Sequence, residues 1–115
     1  MTPQELLNKQ PASDELPAAI ESLNIASQEV SDHISELSDL AASHEEQAAS
    51  EASVESNETK RKTRRSEILR ADSAYQEIRR EIAEQERIKV RLSERAHRFA
   101  REHRLIVARC YQQAF

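Results

Sequence analysis

The stretch Ser56-Asn57-Glu58-Thr59, followed directly by Lys60-Arg61-Lys62-Thr63-Arg64-Arg65, decides the fold. Charge changes sign across it. Residues 1–59 carry thirteen acids against one basic side chain, Lys9, a balance of −12; residues 60–115 carry sixteen Lys and Arg against eight acids, a balance of +8. The chain has no glycine, and asparagine is then the residue best able to enter a left-handed turn. A polar break where the charge inverts predicts the turn of an antiparallel hairpin whose arms are electrostatically complementary. The rival arrangement, one continuous helix in a parallel dimer, is permitted by the same heptads.

Toward the N-terminus, apolar and small residues recur at alternating steps of four and three: Leu16, Ile20, Leu23, Ser27, Val30, Ile34, Leu37, Ala41, His44 and Ala48. That spacing is the mark of a coiled coil. Large side chains give way to Ala and Ser between Ala41 and Ser53. Toward the C-terminus a second stripe runs through Ala71, Tyr75, Ile78, Ile82, Gln85, Lys89, Leu92, Ala96, Phe99, His103, Ile106 and Cys110. Folded back, the small residues of the first arm face bulky Tyr75, Ile78 and Ile82, a size match. Surface pairs such as Glu77–Arg80 and Glu94–Arg98 have helical spacing and support the second arm locally.

The expected fold is therefore all-α: a long antiparallel helical hairpin or coiled coil preceded by a short N-terminal helical turn. Its parts are an N-terminal segment at 1–13 (a short helix or disordered), an acidic helix at 14–56, a turn at 57–60 and a basic helix at 61–113. Thr2, Pro3 and Glu5 supply the cap, first-turn proline and capping-box acid of the N-terminal turn, and Ser13 or Asp14 suits the cap of the acidic helix. Leu16, Ile20, Leu23, Phe99, Ile106 and Val107 gather at the far end, where two helices alone bury too little. Those six residues predict self-association into a homo-oligomer.

Composition excludes more than it selects. Without glycine there is no Gly-rich phosphate loop and no Gly-x-Ser-x-Gly elbow, and a helical hairpin offers no concave site in which to organise a reaction. No enzyme activity and no cofactor are expected. Glu94-Arg95-Ala96-His97 has the Glu-x-x-His spacing of helical di-iron sites, but such sites need a second copy and further glutamates, so no metal is expected either. His44 and His103 read as polar stripe residues that set register, and Cys110, without a partner for a disulfide, reads as a packing residue. The N-terminus lacks a secretory signal and no apolar run reaches membrane length, so a soluble intracellular chain with no membrane partner is expected.

The basic half carries the candidate site. Lys60, Arg61, Lys62, Arg64, Arg65, Arg70, Arg79 and Arg80 suit contact with successive phosphates. All four aromatics (Tyr75, Phe99, Tyr111 and Phe115) lie in the same half, a mixture that suits single strands, although Tyr75 and Phe99 fall on the stripe and read as core. The expected function is a non-catalytic assembly or loading factor that contacts nucleic acid, single-stranded DNA in particular. Two readings compete with it. The arginines would neutralise the acidic arm, whose Glu45, Glu46, Glu51, Glu55 and Glu58 shield them until a partner opens the hairpin; or the chain is an adaptor for partner helices, with Leu6-Leu7 or Tyr111–Phe115 as anchors.

From Ser56-Asn57-Glu58-Thr59-Lys60 through Tyr75-Gln76-Glu77-Ile78 to Arg104-Leu105-Ile106-Val107, the layout resembles small helical phage proteins of the recombination-mediator type. The resemblance spans residues 56–112 and carries no diagnostic motif, so no functional residue transfers from it. It implies a ring-like oligomer that binds single-stranded DNA and helps load a strand-exchange recombinase.

Overall fold

The computed structural model describes residues 1–114. They form four α-helices and one 3-10 turn: α1 (Pro3–Asn8), the turn (Ser13–Glu15), α2 (Leu16–Ala52), α3 (Glu58–Ala71) and α4 (Ser73–Ala114). No strand occurs among the described residues, and none of their helices is long and apolar enough to cross a membrane. The chain is all-α, a helical hairpin, as the polar break with its inversion of charge predicts. It divides into two compact units, one made of residues 1–31 with the chain from Glu86 onward, the other of Asp32–Gln85.

In the Asp32–Gln85 unit the chain reverses between α2 and α3, and the helices run antiparallel. His44 reaches Asp72 and Glu45 accepts from Tyr75, while His33, further toward the N-terminus of α2, approaches Glu81 at 4.0 Å, further toward the C-terminus of α4. A continuous helix in a parallel dimer is thereby excluded. Ala41, Ala48, Ala52 and Ile82 are buried here, and Tyr75 lies beside His44 with ring centroids 6.2 Å apart.

The turn differs from expectation in place and in chemistry. It occupies Ser53–Asn57, not 57–60, and Lys60 is already helical. No described residue has a positive φ. Asn57 is extended (φ −145, ψ 169), and its Oδ1 accepts the Lys60 N–H at 2.9 Å. A loop of this length reverses the chain without a left-handed residue, which frees asparagine for its other role as a helix cap.

The basic arm is two helices rather than one, interrupted at Asp72. Asp72 ends α3 with its N–H on the Leu69 carbonyl and caps α4 twice: Oδ1 accepts from Tyr75 N–H at 3.0 Å and its carbonyl accepts from Gln76 N–H at 3.0 Å. The heptad stripe passes through this point without a gap, so periodicity alone conceals the break.

The other unit is organised around Phe99, Leu23 and Leu92, each at most 1% exposed. The N-terminal segment supplies the cover that two helices lack. Thr2 Oγ1 caps α1 through Glu5 N–H at 3.2 Å, and Leu6 and Pro11 border the same cavity as Leu23 and Phe99. Neither Ser13 nor Asp14 caps α2; instead the Glu15 carboxylate accepts from Ala12 N–H at 3.3 Å.

This cover changes the expected oligomer surface. Leu16, Leu23 and Phe99 are buried within the chain and present no face to another copy. Ile20 and Ile106 are half-buried, and Val107 is 47% exposed. Cys110 is exposed, not packed, because it lies one turn beyond Ile106 on α4 while α2 begins only at Leu16.

Candidate nucleic-acid interface

α3 is the most densely charged α-helix of the chain. Its sequence, ETKRKTRRSEILRA, holds six basic and two acidic side chains, and none of its residues is buried. It is held from its ends. Asn57 caps it, Arg61 Nε donates to the Glu55 carbonyl at 3.2 Å across the turn, and Ile68 and Leu69 are half-buried near its last turn.

Lys60, Arg61, Lys62, Arg64 and Arg65 are exposed, as are Arg70, Arg79 and Arg80, but they do not share one face. Arg61, Lys62 and Arg65 border a groove with Glu58 and with Ala49 and Ala52 at the end of α2. Lys60 and Arg64 border a different groove with Glu55, Thr59, Thr63 and Glu67. The ion pairs here are short-range ones along α3: Arg61 to Glu58 at 3.8 Å and Arg64 to Glu67 at 3.6 Å. Arg80 pairs with Glu77 at 3.5 Å within α4. Exposed pairs of this kind contribute little and are readily exchanged for phosphates.

The His44–Asp72 contact underlies this region. His44 Nδ1 donates to Asp72 Oδ2 at 2.6 Å, and the His44 and Tyr75 rings lie 6.2 Å apart. The Tyr75 N–H and His44 hold the Asp72 carboxyl below its ordinary range. Tyr75 O–H donates to Glu45 at 2.7 Å, which, with burial, pushes the phenol above its ordinary value. Sequence reading placed His44 and Tyr75 on the stripes but overlooked Asp72; the Asp72-Ser73 start of a helix was the available signal.

Other candidates are used differently. Leu6 and Leu7 are half-buried against the chain itself, and Tyr111 is 68% exposed; Phe115 lies outside the described residues. His97 Nδ1 donates to the Ser93 carbonyl at 2.8 Å, and His103 Nδ1 is buried without a partner. No group of three or more metal-ligating side chains occurs among the described residues. Arg95 and Arg98, absent from the sequence-derived site, stack on Phe99 at 4.9 and 5.5 Å.

The fold and this surface define an all-α helical-hairpin protein with an exposed basic helix. Compared with protein-family models, curated proteins and solved structures, the chain matches none.

Proposed function

We propose that this chain is a non-catalytic, self-associating assembly or loading factor that contacts nucleic acid, single-stranded DNA in particular, through its basic half. The observation that carries the reading is α3: a helix with six basic and two acidic side chains, none buried. Such a helix gains little from the core, and its charges are available to displace counterions from phosphates. The division of the cluster between two grooves favours a flexible strand that wraps the helix over a rigid duplex that meets one face. The resemblance to phage recombination mediators agrees with this reading.

The test is fluorescence anisotropy of a labelled single strand from about 50 to about 300 mM salt. Affinity is expected to fall steeply with salt. Charge reversal of Arg61, Lys62, Arg64 and Arg65 is expected to weaken binding and flatten that dependence while leaving the fold intact, since none of the four is buried. Unchanged affinity in the folded variant rejects the assignment.

The adaptor reading is supported by a separate observation: Leu105 is 59% and Tyr111 68% exposed near the end of α4. An adaptor co-purifies with a protein partner and remains free of nucleic acid after nuclease treatment.

A further inference from the structure

A second concentration of positive charge lies outside the α3 cluster, in the unit built around Phe99. Arg91, Arg95, Arg98 and Arg101 follow one another along α4 at steps of four, three and three. They border one open groove together with Glu94 and Leu7 of α1. Glu94 lines the groove with the four guanidinium groups, and Glu102 is close enough to act on the Arg95 charge. Like charges at this spacing repel and destabilise a helix, so their convergence is a cost that the bare chain carries.

Two of the four are held in place. Arg95 stacks on the Phe99 ring at 4.9 Å and Arg98 at 5.5 Å, and Phe99 is itself 1% exposed and immobile in the core. Arg95 also donates from its terminal nitrogen to the Lys9 carbonyl, which ties it to the chain after α1. Its Nε is buried with no hydrogen-bond partner. Burial, and then the neighbouring Arg98 charge, lower the Arg95 pKa, with Glu102 acting in the opposite sense. Arg91 and Arg101 are exposed and complete the groove at either end, about 15 Å apart at 1.5 Å per helical residue.

Guanidinium groups stacked on an aromatic ring are pre-organised for hydrogen bonding to phosphoryl oxygens; Arg95 is partly desolvated and Arg98 is exposed. We infer that the Arg91–Arg95–Arg98–Arg101 groove is a binding site for a ligand bearing several adjacent phosphoryl groups, with Arg95 and Arg98 at its centre and Arg91 and Arg101 at its ends. The length of the row exceeds one phosphate and matches a short chain of them. Free oligophosphate and the sugar-phosphate backbone of a nucleic acid share this chemistry. The site uses none of the residues on which the α3 reading stands.

Isothermal titration of the full chain with sodium tripolyphosphate at low salt tests the site. Wild type is expected to bind, and the double variant R91Q/R101Q, altered only at exposed positions, is expected to bind at least about tenfold more weakly with an unchanged circular dichroism spectrum. R95K retains the charge but loses the planar group stacked on Phe99, and is expected to weaken binding as well. The R61Q/R64Q variant of α3 is expected to leave tripolyphosphate affinity within about twofold. Absence of tripolyphosphate binding by wild type, or equal binding by R91Q/R101Q, overturns the proposal. Competition by an oligothymidylate identifies a nucleic-acid backbone as the occupant, and lack of competition identifies a free oligophosphate. If the strand fails to bind while tripolyphosphate still does, the function proposed for α3 falls and this site stands.

Discussion

Asp72 shows how much one side chain organises. It ends α3, caps α4 and accepts from His44, three roles met by one carboxyl group and its backbone. Its ionised form is favoured in the folded chain, with a pKa below the ordinary 3.8, chiefly through the Tyr75 N–H and then through His44. That stabilisation is complete above about pH 4, where the unfolded group is also ionised. It is lost as pH falls through the lower folded-state value. Thermal melts between about pH 5 and pH 2 should therefore show a loss of stability in wild type that is smaller in Asp72→Asn. The variant should also melt at a lower temperature than wild type at pH 7. An identical acid limb in both proteins would count against the assigned role.

At the scale of the element, α3 and α4 are stabilised by opposite means. α4 contributes Leu92 and Phe99, at 0% and 1% exposure, to the core. Removing either side chain leaves a cavity as well as losing its burial, so Leu92→Ala and Phe99→Ala should each cost about 2–5 kcal/mol by urea denaturation. α3 has no fully buried residue, only Ile68 and Leu69 half-buried, and depends on its cap. Asn57→Ala should cost about 0.5–2 kcal/mol, and the loss should be local, because segments with few buried contacts open independently of the core. Hydrogen exchange should show α3 amides exchanging faster than those around Leu92 in wild type, and faster still in the Asn57 variant.

At the scale of the whole molecule, self-association cannot use Leu16, Leu23 or Phe99, three of the six residues that the heptads suggest. Leu16, Leu23 and Phe99 are consumed inside the chain, covered in part by α1. An oligomer would draw on what remains exposed near the end of α4, namely Leu105, Val107 and Tyr111. Sedimentation velocity is expected to show a smaller species for L105S/Y111S than for wild type, whereas Leu6→Ser should lower stability rather than shift the assembly. The reverse result would place the contact at the N-terminal segment.

The helices and the core stripe were legible in the sequence because heptad spacing and the absence of glycine leave little else for the chain to form, and the antiparallel order was expected from the inversion of charge at the polar break. Phe99, Leu23, Ile82 and the small residues Ala41 and Ala48 sit where the period places them. The exposure of the Lys60–Arg65 cluster followed from its charge. Its division between two grooves did not, because that depends on how α3 meets the end of α2. The break at Asp72 was masked by an unbroken stripe, since a cap is chosen by which of several competing backbone arrangements the packed neighbours, here His44 and Tyr75, make most favourable. The convergence of Arg91, Arg95, Arg98 and Arg101 is a matter of spacing, but the immobilisation of Arg95 is tertiary. Only the folded chain brings the Lys9 carbonyl and a buried Phe99 ring to the same guanidinium. Periodicity determines which face of a helix is buried; what meets that face, and which polar atoms are left to be satisfied, is decided by contacts between residues far apart in sequence.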